Sequence, residues 1–294
     1  MLHRDACEEI RLNYRRGILT FASGCLLIGC KQRNHPAGQA MTNSLTNWER
    51  PRFEPGGSNA LVFYVLYGEF PTNLTVSASA YRTAGLPAGV EPRKMSRAQS
   101  PVFPFTDGDF AKTAGAENPV LFAKLQTVPE CLMFQGEVAD PKDLNYLRDT
   151  IGLVTWFLDH GGVSVMDVQQ LRLFDPAAWR SNFFEPAKPN LLKHVVILHS
   201  KEPNDTQWFH TRGLRKFGRP DLSLHYVPPQ HKAAVIELFE RFIVLQAEGG
   251  RIPEGQEIRM KALPAGMTCR HSGTLDDFDF NNVHVEIRWQ GDGR

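Results

Sequence analysis

Cationic side chains crowd the segment HTRGLRKFGRPDLSLH, residues 210–225, which has a histidine at each end. On a short helix, Arg212, Arg215 and Arg219 would recur at three- and four-residue steps and share one face. Guanidinium groups arranged in this way clasp a carboxylate or a phosphate. The alternative is a solvated face whose arginines pair with nearby acids. We expect the solvated face, because runs of charge usually lie at the surface.

Acidic side chains precede the last strand-like run, in the segment HSGTLDDFDFNNVHVEIRW, residues 271–289. Asp276, Asp277 and Asp279 offer oxygens to a hard cation, and their spacing superficially resembles a calcium loop. The glycine and the distal glutamate of such a loop are missing, however. Turn chemistry before a strand explains the same residues, because Asp and Asn side chains satisfy local backbone donors.

Alternation along the last strand places His284, Glu286 and Arg288 on one face. That face is either the polar wall of a cleft or the solvent-exposed face of a sheet. No two histidines have a tight zinc-ligand spacing, and no GxSxG elbow or cysteine–histidine motif marks a nucleophile. We therefore assign no catalytic residue, metal ligand or cofactor. The candidate binding residues are His210, Arg212, Arg215, Arg219, Asp277, His284 and Glu286.

The elements that must position these residues are strands and helices in mixed order. The clearest helix is predicted after Asp140, an N-cap followed by Pro141, and a second amphipathic helix over 232–250. Strands are predicted at 60–67, 73–81, 119–126, 130–138, 163–168, 191–199, 222–227, 257–263 and 283–289, short helices at 175–184 and 211–218, and a long loop at 82–118. This order predicts an α+β fold with mixed or antiparallel sheets and helices packed on one face.

One stretch resembles a known family. The run from Trp208 to Leu214, followed by Phe217 to Asp221, is similar to the core pattern of the bacterial domain-of-unknown-function family 4261. Members of that family carry an aromatic-Thr-x-Gly-Leu stretch, a Gly-x-Pro-acidic turn, and a strand followed by a long helix. The resemblance covers about residues 140–250. It implies a fold for this region and no activity, since the family has no agreed function.

The N-terminal segment resembles a lipoprotein signal peptide. Arg15 and Arg16 precede the apolar run GILTFASGCLLIG, residues 17–29, which has the length of a signal-peptide core and is too short for a membrane span. The closing LIGC, residues 27–30, resembles a bacterial lipobox, which implies cleavage before Cys30 and attachment of lipid to its thiol. An acidic stretch further upstream departs from the pattern. The alternative is a buried core segment that happens to end in cysteine.

Domain boundaries follow from the expected cleavage. Residues 1–29 are the predicted signal peptide, and the polar, Pro/Gly-rich residues 30–59 are a predicted disordered tether. Residues 60–294 are a single predicted body. In an exported body, Cys131 and Cys269 either pair or remain separate buried thiols.

Charge and location narrow the expected function. Beyond residue 29 the chain has 29 basic and 29 acidic residues, so it lacks the electrostatic footprint of a nucleic-acid binder. We expect a lipoprotein of the cell envelope, anchored to the membrane and facing the periplasm or exterior, whose body is a non-catalytic binding or interaction module. The alternative is an envelope hydrolase or metal-dependent enzyme with a polar cleft formed by 210–219 and 276–288. An enzyme should gather those residues into one pocket, whereas a binding module should show an apolar or aromatic patch.

Overall fold

The computed structural model describes residues 45–72, 75–99 and 108–289. These residues form two β-sheets and several α-helices, which confirms the predicted α+β class. Within these ranges no helix has both the length and the apolar character that crossing a membrane requires. The predicted signal peptide and Cys30 lie outside the described residues.

The strands and helices have the following bounds. The strands are β1 (Ala60–Gly68), β2 (Val90–Ser96), β3 (Glu130–Val138), β4 (Gly162–Asp167), β5 (Arg172–Phe174), β6 (Val196–Lys201), β7 (Gln207–Arg212), β8 (Asp221–Val227), β9 (Glu257–Ile258), β10 (Met267–Ser272) and β11 (His284–Arg288). The α-helices are α1 (Ala78–Tyr81), α2 (Gly108–Glu117), α3 (Pro119–Leu125), α4 (Asn145–Asp159), α5 (Pro176–Trp179) and α6 (Lys232–Ala247).

The first sheet has the strand order β2-β3-β1-β4-β5 and is antiparallel throughout. Its central strand, β1, is buried along its whole length because both faces of the sheet are covered. Tyr64 and Leu66 pack in the main core with α4, whereas Phe63 and Val65 pack on the other face with α2 and α3. A strand covered on both faces reads as a continuous apolar run, which is why the sequence predicts β1 well.

The second sheet has the order β6-β7-β8-β11-β10-β9. The pair β8–β11 is parallel and the other pairs are antiparallel. Alternate side chains such as Leu222, Leu224, Val285 and Ile287 are buried in the main core, which also contains one face of α6. Because side chains alternate between the faces of a strand, the intervening polar residues lie on the outer face of this sheet.

Several elements differ from the sequence predictions. Residues 78–81 form α1 rather than the end of a strand, and the predicted loop over 82–118 contains β2 and α2. The apolar run at 119–126, predicted as a strand, is α3. Asn118 caps this helix by accepting a hydrogen bond from the Leu121 N–H at 3.0 Å, and Pro119 occupies its first turn. Because residues 119–126 are helical and not a strand, the strand partners of β3 are β1 and β2.

Residues 45–59, here called the N-terminal strap, pack along the body. Trp48 is buried, and its carbonyl accepts a hydrogen bond from the Leu144 N–H at 2.7 Å, just before α4. Buried Arg50 donates to the backbone carbonyls of Pro141, Phe217, Gln246 and Ala247. Burial lowers the pKa of Arg50 to about 10. The predicted tether therefore does not extend over 45–59, and its remaining part, 30–44, lies outside the described residues.

Cys131 and Cys269 do not form a disulfide. Cys131 lies on β3 of the first sheet and Cys269 on β10 of the second, and both are buried. Burial raises the pKa of the Cys269 thiol to about 11. Of the two alternatives for these cysteines, separate buried thiols is the one that the structure confirms.

Candidate functional site

The outer face of the second sheet carries a row of polar side chains that the strand register brings side by side. His210 on β7 is opposite Ser223 on β8, and Ser223 is in turn opposite Glu286 on β11. Opposed residues of neighbouring strands are close enough for their side chains to interact. The sheet thus assembles one polar surface from segments that are far apart in sequence.

A cleft of about 560 Å³ opens on this face. Five of the seven candidate binding residues line it: His210, Arg212, Asp277, His284 and Glu286. The other lining residues are Leu198, His199, Ser200, Lys201, Glu202, Trp208, Ser223, His225, Asp279 and Phe280. Sequence reasoning missed Trp208 and Phe280 as site residues, because QWFHTR, residues 207–212, has no alternation that would indicate a strand. The cleft combines the gathered polar residues expected of an enzyme with the aromatic surface expected of a binding module.

Five ring side chains along the cleft contact one another in the order His225, Trp208, His210, Phe280, His284; we call them the ring chain. The Trp208 ring stacks on His225 with centroids 4.8 Å apart and on His210 with centroids 4.0 Å apart. His210 meets Phe280 edge to face at 5.6 Å, and Phe280 stacks on His284 at 4.2 Å. These contacts fix the ring orientations, so the cleft wall is preorganised.

The loop between β10 and β11 forms an acidic wall. Asp277 Oδ1 accepts a hydrogen bond from the Asp279 N–H at 3.0 Å, so local turn chemistry does shape this loop. Asp277 Oδ2 lies 3.9 Å from His284 Nδ1, a buried nitrogen that has no hydrogen-bond partner among the described residues. Burial lowers the pKa of His284, against the opposing effect of the Asp277 and Glu286 carboxylates. His284 is therefore a neutral ring beside a carboxylate at pH 7.

A carboxylate orients the histidine at the other end of the ring chain. His225 Nδ1 lies 2.7 Å from Glu202 Oε1, and Glu202 Oε2 accepts the Tyr226 N–H at 2.7 Å. A carboxylate in this position fixes the orientation of the imidazole, as a general acid–base residue requires. Ser223 lies in the same cleft, where its Oγ accepts the Trp208 indole N–H at 3.0 Å. The sequence carries no spacing signal for the Glu202–His225 pair, because strand pairing alone brings it together.

The basic segment is neither a helix nor a solvated face, contrary to the expectation. Gln207–Arg212 is strand β7, and Leu214–Phe217 is a single 3-10 turn that ends at Gly218 with φ 63°. Gly218 adopts this left-handed conformation without strain, as glycine does at helix ends. Arg212 is only 5% exposed, and its guanidinium donates to the carbonyls of Gln169 and Asp279 at 3.2 and 2.6 Å. It thereby holds the acidic loop against β7.

Arg215 and Arg219 lie outside the cleft and have structural contacts. Arg215 donates to the Asn281 carbonyl at 2.9 Å and pairs with Glu137. Arg219, 1% exposed, pairs with Asp140 and donates to backbone carbonyls of the strap and of the turn after α6. Partial burial raises the pKa of Asp140, but hydrogen bonds from Arg219 and backbone N–H groups outweigh this effect and lower it. Asp140 therefore anchors Arg219, and α4 begins later than predicted, at Asn145.

The rest of the basic segment links the two sheets through buried charges. Lys216 Nζ lies 2.7 Å from Asp167 Oδ2 at the end of β4, and both side chains are buried. Burial lowers the pKa of Lys216, opposed by Asp167. Burial raises the pKa of Asp221 to about 6, although Asn282 and Thr211 donate hydrogen bonds to its carboxylate. Asp221 thus fixes the loop that leads into β11, and with it the position of the cleft wall.

The described residues contain no group of three or more His, Cys, Asp or Glu side chains that could hold a metal ion. Three of the cleft histidines are separated by Trp208 and Phe280, and His271 lies elsewhere, with its Nε2 2.7 Å from the Ile252 carbonyl. The zinc and calcium alternatives therefore gain no support from the geometry.

Comparisons with known proteins give no relative: no family model, no curated protein and no solved structure matches this chain. The resemblance of residues 208–221 to domain-of-unknown-function family 4261 therefore stays a prediction. The functional argument rests on the cleft itself.

Proposed function

We propose that this protein is a lipid-anchored envelope protein whose body binds a cationic ligand in the cleft. The observation that carries the proposal is the convergence of carboxylates there. Four of them line the cleft against two cationic side chains: Glu202, Asp277, Asp279 and Glu286 against Lys201 and Arg212. One of the four, Glu286, is paired with Arg288 at 2.8 Å, so the excess rests on the other three. An excess of one charge in a concave, partly desolvated site attracts ligands of the opposite sign.

The ring chain supports the same class of ligand. Aromatic faces attract cations within about 6 Å of the ring centroid. Neutral His284 adds no positive charge to the cleft wall, and the Asp277 carboxylate lies 3.9 Å from its buried Nδ1. An anionic ligand, by contrast, would meet four carboxylates. The charge of Arg212 is already included in this count, and its guanidinium donates to the backbone carbonyls of Gln169 and Asp279.

Isothermal titration with spermidine as the probe tests cation binding. We expect binding that weakens as salt is added. The variant Asp277→Asn should weaken it by about fivefold, which corresponds to about 1 kcal/mol. Glu237→Gln is the matched control, because Glu237 is a half-exposed carboxylate on α6 that does not line the cleft. The absence of spermidine binding, or equal loss in both variants, would contradict the proposal.

The anchor is the second part of the proposal, and it rests on the N-terminal sequence alone. The run at 17–29 and the following Cys30 have the pattern of a lipoprotein signal. In bacterial cells fed radiolabelled palmitate, the wild type should be labelled and Cys30→Ala should not. Cys25→Ala is the control, since Cys25 lies within the apolar run and should not receive lipid. Equal labelling of Cys30→Ala and the wild type would refute the anchor.

A hydrolase is the second candidate function, and the Glu202–His225 pair is the observation that favours it. Ser200 and Ser223 lie in the same cleft and are the candidate nucleophiles. If the cleft performs acyl transfer, a fluorophosphonate probe should label one of these two serines, and His225→Ala should abolish the labelling. Labelling of neither serine would exclude serine-based hydrolysis and leave the binding proposal intact.

A further inference from the structure

Strand β6 is an edge strand, and no other described strand pairs with its outer edge. Its backbone pairs with β7 on one side only. Among the described residues, none of the backbone hydrogen bonds found outside helices and strands involves Val196–Lys201. An open edge of this kind presents unpaired N–H and C=O groups, and an extended chain can add to it as a further strand.

The other three edge strands of the two sheets are less able than β6 to pair with an added strand. β5 has three residues and β9 has two, so both are too short to pair with much chain. β2 has seven residues but contains Pro92, which cannot donate a backbone hydrogen bond. β6 has six residues and no proline, and its single lysine, Lys201, is its last residue.

The open edge of β6 borders the cleft. Leu198, His199, Ser200, Lys201 and Glu202 line the cleft consecutively, although side chains on a strand alternate between faces. Consecutive lining residues indicate that the cleft reaches the backbone of this edge strand, and not only the side chains of one face. Val196, Ile197 and Leu198 are half-buried and offer apolar contact to a neighbouring strand.

We propose that the ligand is an extended basic peptide that adds to β6 as a seventh strand and directs Lys or Arg side chains to the β6 side of the acidic cleft, where Glu202 lies. This inference rests on the proposed cation-binding function and names the class of its ligand. Backbone hydrogen bonds with β6 provide affinity, and the pockets for alternate side chains provide specificity. The charge of the cleft selects basic residues, and its position beside β6 selects an extended backbone.

Fluorescein-labelled peptides test this inference by fluorescence anisotropy. The probe alternates lysine and valine over six residues, the length of β6. Two versions carry backbone N-methyl groups, one on all lysines and one on all valines, because the N–H groups of alternate residues point to opposite edges of a strand. A peptide of alternating glutamate and valine is the charge control.

The Lys/Val peptide should bind and the Glu/Val peptide should not. One methylated version should lose about tenfold or more in affinity, and the other should lose much less. Strand addition would be refuted if both methylated peptides bound as tightly as the unmethylated peptide. It would also be refuted if both lost affinity to the same extent. If spermidine binds but no peptide shows the one-sided methylation effect, strand addition fails and the cation site stands. If neither spermidine nor the Lys/Val peptide binds, the proposed function fails as well.

Discussion

Replacement of Arg219 by methionine tests how the strap is held to the body. The Arg219 guanidinium is 1% exposed, lies 3.0 Å from Asp140 Oδ1, and donates to the carbonyls of Glu54, Gly249 and Gly250. Methionine fills a similar volume but leaves these acceptors unpaired. Breaking a buried ion pair by removing one partner costs about 3–5 kcal/mol, and a typical domain has a total stability of about 5–15 kcal/mol.

Arg52→Met is the matched control in the same strap. The side chain of Arg52 is 62% exposed, and its pair with Glu248 should contribute about 0–1 kcal/mol, as exposed pairs do. Urea denaturation followed by circular dichroism measures the free energy of unfolding of both variants. We expect a loss of about 2–4 kcal/mol for Arg219→Met, below the full cost of a buried pair because Asp140 is 22% exposed, and almost none for Arg52→Met. A loss below about 1 kcal/mol for Arg219→Met would refute the structural role of this arginine.

Three further predictions concern stability and reactivity. Arg212→Ala should lower the free energy of unfolding, measured by urea denaturation, by about 2–4 kcal/mol, because two buried carbonyls lose their guanidinium donor. A decrease of less than about 1 kcal/mol would indicate that the Arg212 side chain lies in solvent. Burial holds the pKa of His194 well below 6.5. Below pH 6.5 the unfolded state therefore binds a proton that the folded state does not, and the free energy of unfolding decreases by about 1.4 kcal/mol for each unit by which the pH is lowered. In His194→Leu, the free energy of unfolding measured by urea denaturation should depend less on pH between pH 7 and 5, because the contribution of this histidine is gone. The same pH dependence in the variant and the wild type would count against a neutral buried ring. Cys131 and Cys269 should resist alkylation in the folded protein and react once it is unfolded, with no reductant needed, as peptide mass spectrometry can show. A reaction that occurs only after a reductant is added would reveal a disulfide.

The elements that the sequence predicts well have strong periodic or continuous apolar patterns. β1 is apolar along its length because both of its faces are covered, and α6 has one buried stripe. α4 has the predicted apolar stripe, but the structure buries Tyr146 through Leu158 on all sides of this helix. The short apolar run of α3 is ambiguous between helix and strand, and the Asn118-Pro119 start signal decides for a helix. β10 was missed although Met267 and Cys269 alternate with polar residues there.

Much of the candidate site was predictable as residue types but not as an arrangement. Alternation correctly places His284 and Glu286 on one face of β11, and the same residues line the cleft. The arginines of the basic segment illustrate what sequence could not decide. Only the tertiary structure separates Arg212 at the cleft from Arg219 at the strap, because their backbone-carbonyl partners lie far away in sequence.

Strand register is the reason that the rest of the site escaped prediction. Glu202 reaches His225 because β6, β7 and β8 lie side by side, and no local spacing encodes that contact. Trp208 joins the site because it lies on β7, whose alternate residues Trp208, His210 and Arg212 line the cleft. A one-residue change of register would move all of these side chains to the opposite face.

The indole N–H resonance of Trp208 provides the most direct test of ligand binding in the cleft. Trp208 stacks on two cleft histidines, whereas Trp179 is fully buried in the main core. The two resonances can be assigned with Trp208→Phe and Trp179→Phe variants in nitrogen-15 correlation spectra. On titration with spermidine, the Trp208 signal should shift in a saturable way while the Trp179 signal stays in place. A Trp208 signal that does not move at saturating spermidine would contradict the account.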